Sequence, residues 1–481
     1  MAIPNPFRRN DENTRHAWGH TFQWTPDHFT KEQMHPMKSS YDVLAEECLN
    51  RLDNISPPTS GELPRNQSTI PKGKEGEEKP KRDLYVLLKE HASEDGKLGE
   101  LWNEVNTIPD WVDWAQIERG QEVFYRYGGA VLTGLAYQSL LGGMGAARVT
   151  EVLARTGGFS TKSARRRMFE TTQLLLQVTQ SLEAIKPGGI GHISSIKVRL
   201  LHAAVRRRIL ALAKEKPSYY SISDHGIPIN DLDSIATIGT FSATLIWLSL
   251  PRQGIFLRPQ EIADYIALWR LVAHYLGTPT SFFETPTSAK AIMESLLLTE
   301  INPSPTSQIL AQNIILSLQN QAPAYPSRSF LEANARWLNG HLLCDALGLS
   351  NPPLYYYILV AGQCIFYMAI SYLYRSINHL DRKQIVFLRR VLPMVIHSPT
   401  VGIAGETGFE LQYVPEFSTK TELGEYVQGE ENKGGVERRN LKAFGLAVVG
   451  VGVGSWVVWK GLRGLVMGVV GMGRGLLWLW G

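Results

Sequence analysis

Hydrophobic residues recur at intervals of three and four along most of the chain, and the alternating patterns typical of strands are scarce. This is the spacing of amphipathic helices packed around a core, so the sequence predicts an all-α fold. The longest such region runs from about residue 84 to residue 216, and more helices are predicted up to about residue 398. A stretch rich in Ser, Asp, Gly and Pro, residues 217–233, separates the two regions.

Composition divides the chain into five predicted parts. Residues 1–55 contain aromatic and helical pieces and are expected to pack on the core as an N-terminal extension. Residues 56–83 are rich in Pro, Gly and charge, which predicts a flexible linker. Residues 84–400 form the predicted helical domain. Residues 401–440 are expected to be a polar tether, and residues 441–481 an apolar, Gly-rich membrane segment.

The C-terminal segment has several features of a membrane helix. Residues 443–459 carry no charge and are rich in Val, Gly and Trp. Their length is near the lower limit for a spanning helix, which needs about 20 residues. Gly450 and Gly454 have a spacing that permits close helix packing. We therefore predict that the tail attaches the chain to a membrane. The alternative is a disordered Gly-rich tail.

Two further stretches, residues 234–251 and 351–374, also lack charge. Both are interpreted as buried core helices.

The bulk composition excludes some classes of function. A net charge of +4 over 481 residues predicts no nucleic-acid partner, since such proteins concentrate basic residues in a stripe. The three cysteines, Cys48, Cys344 and Cys364, form no CxxC pair. They indicate free thiols in a reducing compartment and not a disulfide scaffold or a structural zinc site.

One histidine stands out on a long predicted helix, residues 196–213. Helical spacing places His202 on the same apolar stripe as Val198 and Val205, so its ring is expected to face inward. Arg199 and Arg206 flank it at distances of three and four residues. A haem needs one nitrogen for its iron and cations for its propionates. The alternative is a core histidine whose ring is hydrogen-bonded to a carbonyl oxygen.

A second predicted helix, roughly residues 162–184, carries polar residues on an apolar face. Arg167 and Thr171 share that face, and Glu170 lies beside them. Burying such groups is costly unless they have a partner or a role. The sequence leaves two interpretations open, which are an internal salt bridge, for example between Arg167 and Glu151, and a place in a pocket.

Three segments together resemble a known family. They are PDWVDWAQIERGQEVFYRYG (109–128), TGGFSTKSARRRMFETT (156–172) and above all KVRLLHAAVRRRIL (197–210). They are similar to the haem-containing oxygenases typified by bacterial rubber oxygenase (latex-clearing protein), which also include a fungal oxygenase bound to the endoplasmic reticulum. The resemblance spans roughly residues 100–280 and implies a globin-like helical core.

The resemblance also implies roles for individual residues. His202 would be the axial ligand of a haem b iron, with Arg199 and Arg206 near the cofactor. Arg167 and Thr171 would match an arginine and a threonine on the opposite side of the haem. Glu170 stands where rubber oxygenases have a lysine that can cap the iron, so the capping behaviour does not carry over. Glu151 would match the carboxylate proposed as a base.

The implied reaction is activation of dioxygen and oxidative cleavage of a C=C bond in a hydrophobic, isoprenoid-type small molecule. The expected location is a membrane, that of the endoplasmic reticulum, with the catalytic domain facing the cytosol. A different class of function is also open, namely a membrane-anchored helical scaffold that kept the fold without cofactor or catalysis.

Overall fold

A computed structural model describes residues 11–58, 82–426 and 435–450, with isolated positions between 452 and 460. It begins with two short strands, β1 (Thr14–Ala17) and β2 (His20–Gln23). The helices that precede the longest one are α1 (Lys31–Met34), α2 (Val43–Ile55), α3 (Leu84–His91), α4 (Gly96–Asn106), α5 (Trp114–Arg126), α6 (Gly128–Gly134), α7 (Ala147–Thr156), α8 (Ala164–Thr179) and α9 (Leu182–Ile185).

The longest helix is α10 (Ile190–Glu215). The helices that follow it are α11 (Ile222–His225), α12 (Asp231–Phe241), α13 (Leu250–Arg252), α14 (Pro259–Tyr275), α15 (Pro286–Thr299), α16 (Pro305–Leu318), α17 (Arg328–Ala346), α18 (Leu354–Ser376), α19 (Asn378–His397) and a last helix, α20, over residues 436–450. The all-α prediction is confirmed. The strands form one antiparallel hairpin, in which Thr14 pairs with Gln23.

Helix α10 lies at the centre of the fold. It includes the whole predicted helix 196–213 and packs against α2, α3, α7, α8, α9 and α14. Its apolar stripe is buried as the spacing predicted, with Val198, Val205 and Ile209 all shielded from solvent. Burying such side chains on several sides stabilises the helix far more than its intrinsic propensity does.

A buried ion cluster fixes α10 to the N-terminal part of the chain. The guanidinium group of Arg199 donates to Asp42 at 2.6 and 2.9 Å and to Glu104 at 2.7 Å. Only 3% of Arg199 is exposed. Asp42 also caps the start of α2 by accepting from the Ala45 amide. The N-terminal residues that the structure describes therefore pack firmly on the helical core.

The two uncharged stretches differ in burial. Residues 234–251 lie largely in the core, as predicted, where α12 and the segment Leu245–Arg252 meet at a bend of 42°. The prediction for residues 351–374 was wrong. Helix α18 has a mean hydropathy of 1.5 over its most apolar 18 residues, yet only 33% of that window is buried. It packs one side on α17 and leaves large apolar side chains such as Leu354 and Leu373 exposed.

Residues 398–426 follow the core as an irregular strap. Gln173 of α8 holds it by two hydrogen bonds with the Thr407 backbone, of 3.0 and 2.8 Å. Farther along, Arg208 donates to the Pro415 carbonyl at 2.9 Å, and Thr421 donates to the Ala154 carbonyl at 2.7 Å. This part of the predicted polar tether is thus bound to α7, α8 and α10. Residues 59–81 of the predicted linker and almost all of residues 451–481 of the predicted membrane segment lie outside the described residues.

Replacing Arg199 with Met should strongly destabilise the fold, because it leaves the carboxylates of Asp42 and Glu104 near each other without a cation. Breaking a buried ion pair on one side typically costs about 3–5 kcal/mol. The urea midpoint of unfolding measures the effect. Arg207→Met is the matched control on the same helix, since Arg207 is about one third exposed and binds Asp53 and Asn50. An Arg199 variant as stable as the Arg207 variant would contradict the assignment.

Candidate active site

A cavity of about 220 Å³ lies between α7, α8, α10, α12 and the strap. By surface area, its walls are mostly apolar. The apolar residues that line it are Val149, Val152, Leu153, Leu201, Val205, Ile229, Ile238, Leu276 and Leu411. The polar residues that line it are Thr156, Arg167, His202, Asp233, Ser234, Thr237, Thr278, Glu410, Gln412 and Tyr413. The predicted residues that meet here are therefore His202 and Arg167.

His202 borders this cavity with no hydrogen bond to either ring nitrogen among the described residues. His192, three turns earlier on α10, shows the contrasting case. Its Nε2 bonds to the Val105 carbonyl at 2.8 Å, and its Nδ1 accepts from the Gly188 amide at 3.1 Å. His192 is thus a core histidine satisfied by backbone, the alternative considered for His202. In the described structure His202 does not have that arrangement.

The surroundings of His202 keep its ring neutral. Burial, together with the positive charges of Arg206 and Arg167, lowers the pKa of the imidazole to about 4. A neutral imidazole has a free lone pair on one nitrogen, which is the form that binds metals. The structure therefore presents a potential ligand nitrogen on the wall of an apolar cavity.

Arg167 extends from α8 toward the strap. Its guanidinium carbon lies 5.3 Å from the centre of the Tyr413 ring, and its Nη1 is 3.6 Å from a carboxylate oxygen of Glu170. Its buried Nε has no hydrogen-bond partner among the described residues. Arg167 is therefore only partly neutralised and keeps one donor available. Glu170 itself is buried and binds Arg166 more closely, at 3.1 Å, and it does not line the cavity.

Asp233 is a carboxyl group in the same cavity that the sequence reasoning did not single out. One of its oxygens lies 2.9 Å from Arg148, which also binds Glu300 at 2.9 Å. Burial raises the pKa of Asp233 to about 6, although Arg148 opposes that shift. A carboxyl with such a pKa can hold or release a proton near neutral pH.

The other predicted site residues lie away from the cavity. The hydroxyl of Thr171 donates to the Arg167 carbonyl at 3.0 Å, and its side chain is exposed. Glu151 binds Arg155 at 2.6 Å, and its pKa is lowered because hydrogen bonds from Thr306 and Arg155 outweigh burial. The salt bridge suggested between Arg167 and Glu151 is absent among the described contacts, since each pairs within its own helix.

Arg199 and Arg206 have protein partners. Arg199 is saturated by Asp42 and Glu104, as described above. Arg206 donates to the carbonyl oxygens of Pro228, Asp42 and Ile229 at 3.1–3.2 Å. Neither arginine lines the cavity. Their role in binding propionates stays a prediction, while Arg206 already influences His202 through its charge.

Comparison with known proteins places this site in a family. Residues 125–361 match the family described as "ER-bound oxygenase mpaB/B'/Rubber oxygenase, catalytic domain". The resemblance inferred from the sequence is therefore confirmed, and the matched family is described as one of oxygenases, a class of oxidoreductases. Every cavity-lining residue except the strap residues Glu410–Tyr413 lies within the matched segment.

Two proteins and one solved structure are individually similar to the chain. Rubber oxygenase of Streptomyces sp. (strain K30) is 24% identical over 269 residues, which are 54% of this chain and 62% of that protein. Aurantioclavine synthase cnsA of Penicillium expansum is 54% identical over 33 residues, 7% of each protein. The chain thus spans less than two thirds of the length of either relative. The solved structure of latex clearing protein LCP in its closed state shares the fold, with a TM-score of 0.53 and 19% identity over 73% of this chain and 91% of that one.

Sequence reasoning missed the cavity residues contributed by α12 and the strap. Asp233 was within the quoted piece IPINDLD but had no helical stripe to mark it as inward-facing, because it lies in the first turn of α12. Tyr413 lies in an irregular segment, where no periodicity predicts which side chains face the core. Only the tertiary contacts reveal these residues.

The depressed pKa of His202 predicts a pH-dependent difference in stability for the chain without cofactor. The folded state favours the neutral ring. The part of the folding stability that depends on a neutral His202 is therefore complete above about pH 6.5 and is lost as the pH falls toward 4. His202→Leu removes it. Wild type should therefore lose stability relative to the variant on acidification, by at most about 3 kcal/mol at 1.36 kcal/mol per pKa unit.

Thermal midpoints at pH 7.5 and pH 4.5 measure this difference. His35→Leu, at an exposed histidine, is the control for loss of a surface imidazole. A His202→Leu variant whose midpoint moves in parallel with wild type over this range would show that the ring is not held neutral.

Proposed function

We propose that the chain is a haem b-dependent oxygenase in which His202 binds the iron. The observation that supports it best is the His202 ring, neutral and without a hydrogen bond among the described residues, on the wall of an apolar cavity within an oxygenase domain. A neutral imidazole whose ring nitrogens make no hydrogen bond has a lone pair with which it can bind a metal.

The residues present fit a haem at this position, provided that the cavity widens. When bound, the haem would supply an iron at which dioxygen is activated. Pockets for ligands of cofactor size typically measure about 300–1,000 Å³, more than the 220 Å³ cavity. Loading would therefore require a wall to move. The strap residues Glu410–Tyr413 are the longest stretch of this lining without regular secondary structure.

The chain's own residues would then have distinct roles. His202 would hold the cofactor. Arg167 would stabilise negative charge that develops on oxygen, because its Nε donor has no partner among the described residues and the surface of the cavity is mostly apolar by area. Asp233 would hold a proton that it can exchange near neutral pH. Thr171, Glu170 and Glu151 remain candidates for catalysis on resemblance alone. Arg199 and Arg206 would act by anchoring α10 and by their charge.

We propose oxidative cleavage of a C=C bond in a hydrophobic, isoprenoid-type molecule as the reaction. The apolar lining suits such a substrate. One molecule of dioxygen supplies both oxygen atoms of the two carbonyl groups that form, so atoms and electrons balance without an added reductant. The curated relative with the longer match is named a rubber oxygenase, which is consistent with this substrate class.

We further propose that the C-terminal segment attaches the enzyme to the endoplasmic reticulum membrane, with the catalytic domain in the cytosol. The family description includes ER-bound oxygenases, and residues 443–459 are uncharged. The three cysteines are free and buried, as suits a reducing compartment.

Purified full-length chain supplied with haem should show a Soret band that shifts on reduction in the presence of carbon monoxide. The variant His202→Gly should lose most of this band, because the axial nitrogen is gone, and added imidazole should restore it. His274→Gln is the matched control, since His274 is half-buried on α14, outside the cavity.

Wild-type protein that stays colourless with haem supplied would refute the cofactor and favour the scaffold function. A His202→Gly variant with an unchanged spectrum would refute the assignment of His202 as the ligand.

For the reaction, incubation with an isoprenoid substrate under ¹⁸O₂ should label both carbonyl products. Label in one product only would contradict the cleavage of a double bond by a single dioxygen molecule.

A further inference from the structure

Helix α19 has an outward face of mixed apolar and basic character. Val386, Phe387 and Met394 are 64%, 61% and 62% exposed, and Lys383 and Arg390 lie on the same side at helical spacing. We call these five residues the α19 outer face. A single exposed apolar residue is ordinary, but three large ones on two turns, flanked by cations, are typical of helices that lie in a membrane interface.

The opposite side of α19 fixes this orientation. Asp381 accepts three hydrogen bonds from Arg126, at 2.8–3.0 Å, and both Ile385 and Ile396 are buried in the core. The outer face therefore cannot turn inward without breaking a buried ion pair and exposing core residues. Contacts with other described residues bury Ile385 to 3% exposure but leave the apolar residues of the outer face more than 60% exposed.

The neighbouring helices add to the same apolar surface. Helix α18 packs against α19 and is itself apolar and largely unburied, with Leu373 at 56% exposure. Helix α20 docks on α18, where Asn440 makes a close approach to Gly362 and donates to Gln363 at 3.3 Å. Arg439 lies over the ring of Phe366.

Helix α20 also determines where the predicted membrane segment begins. Its last residues, 443–450, are the first part of the uncharged run, and Leu446 and Val449 there are 73% and 62% exposed. A tail inserted in a bilayer would therefore keep α18 and its neighbour α19 close to that bilayer. Such tethering raises the effective concentration of the surface at the membrane, so weak contacts suffice.

We propose that the α19 outer face, with the exposed side of α18, lies on the surface of the membrane that holds the tail, and that its basic residues bind anionic lipid headgroups. The catalytic domain is then oriented on the bilayer and not merely tethered to it. Phe387, Val386 and Met394 would enter the headgroup region, and Lys383 and Arg390 would remain at its polar level. The α19 outer face lies outside the family match at residues 125–361. The proposal rests on the proposed membrane attachment.

The test uses the full-length chain in vesicles of phosphatidylcholine with one quarter phosphatidylserine. A cysteine introduced by Phe387→Cys carries an environment-sensitive fluorophore. Cys48 and Cys344 do not compete for the label, because burial raises the pKa of each thiol to about 12, and Cys364 is buried as well. Ile222→Cys is the matched control, an apolar residue on α11 that is 47% exposed.

Flotation of the vesicles reports attachment by the tail, and quenching by nitroxide-labelled lipids reports contact at the probe. The label at position 387 should be quenched several-fold more than the label at position 222. The double change Lys383→Glu and Arg390→Glu should reduce quenching at 387 without preventing flotation, and so should omission of phosphatidylserine.

Two outcomes separate this proposal from the one on which it rests. Chain that floats but shows equal quenching at 387 and 222 overturns the α19 surface alone. Chain that does not float overturns the membrane attachment, and the α19 surface with it. A label at 387 that is shielded from aqueous iodide but not quenched by lipid nitroxides shows that protein covers the face, which also overturns the proposal.

Discussion

The imidazole of His202 borders an apolar cavity, and neither of its ring nitrogens has a hydrogen bond among the described residues. Burial, together with the positive charges of Arg206 and Arg167, lowers the pKa of the ring to about 4, so the ring is neutral near pH 7. His192 on the same helix shows that the fold can satisfy a buried histidine with backbone groups. The ring of His202 is therefore available to a partner in the cavity, and we propose that this partner is a haem iron.

The rest of the site depends on α10 staying where it is. Arg199 ties the helix to Asp42 and Glu104, so the N-terminal region contributes to the position of His202 from a distance in sequence of about 160 residues. The strap closes the cavity from the other side through its bonds to Gln173. The wall that carries His202 is thus helical, and the wall that the strap forms has no regular secondary structure.

The sequence predicted the helical class and the inward direction of His202, because both follow from spacing within one helix. It did not predict the partners of Arg199, which come from α2 and α4, since periodicity carries no information on contacts between distant elements. It placed Thr171 on the same face as Arg167, but the cavity borders only one edge of that face. It did not predict that Asp233 and Tyr413 line the cavity, because the first lies in the first turn of α12 and the second in an irregular segment. It took α18 for a core helix, because apolar composition alone does not distinguish a buried helix from an exposed one.

A crystal structure of the haem-loaded, full-length chain would locate the iron in an anomalous difference map. We expect one iron peak between α7, α10 and α12, within bonding distance of a ring nitrogen of His202, with the strap residues Glu410–Tyr413 displaced from their present positions. An iron bound by any other residue, or a haem held outside this cavity, would contradict it.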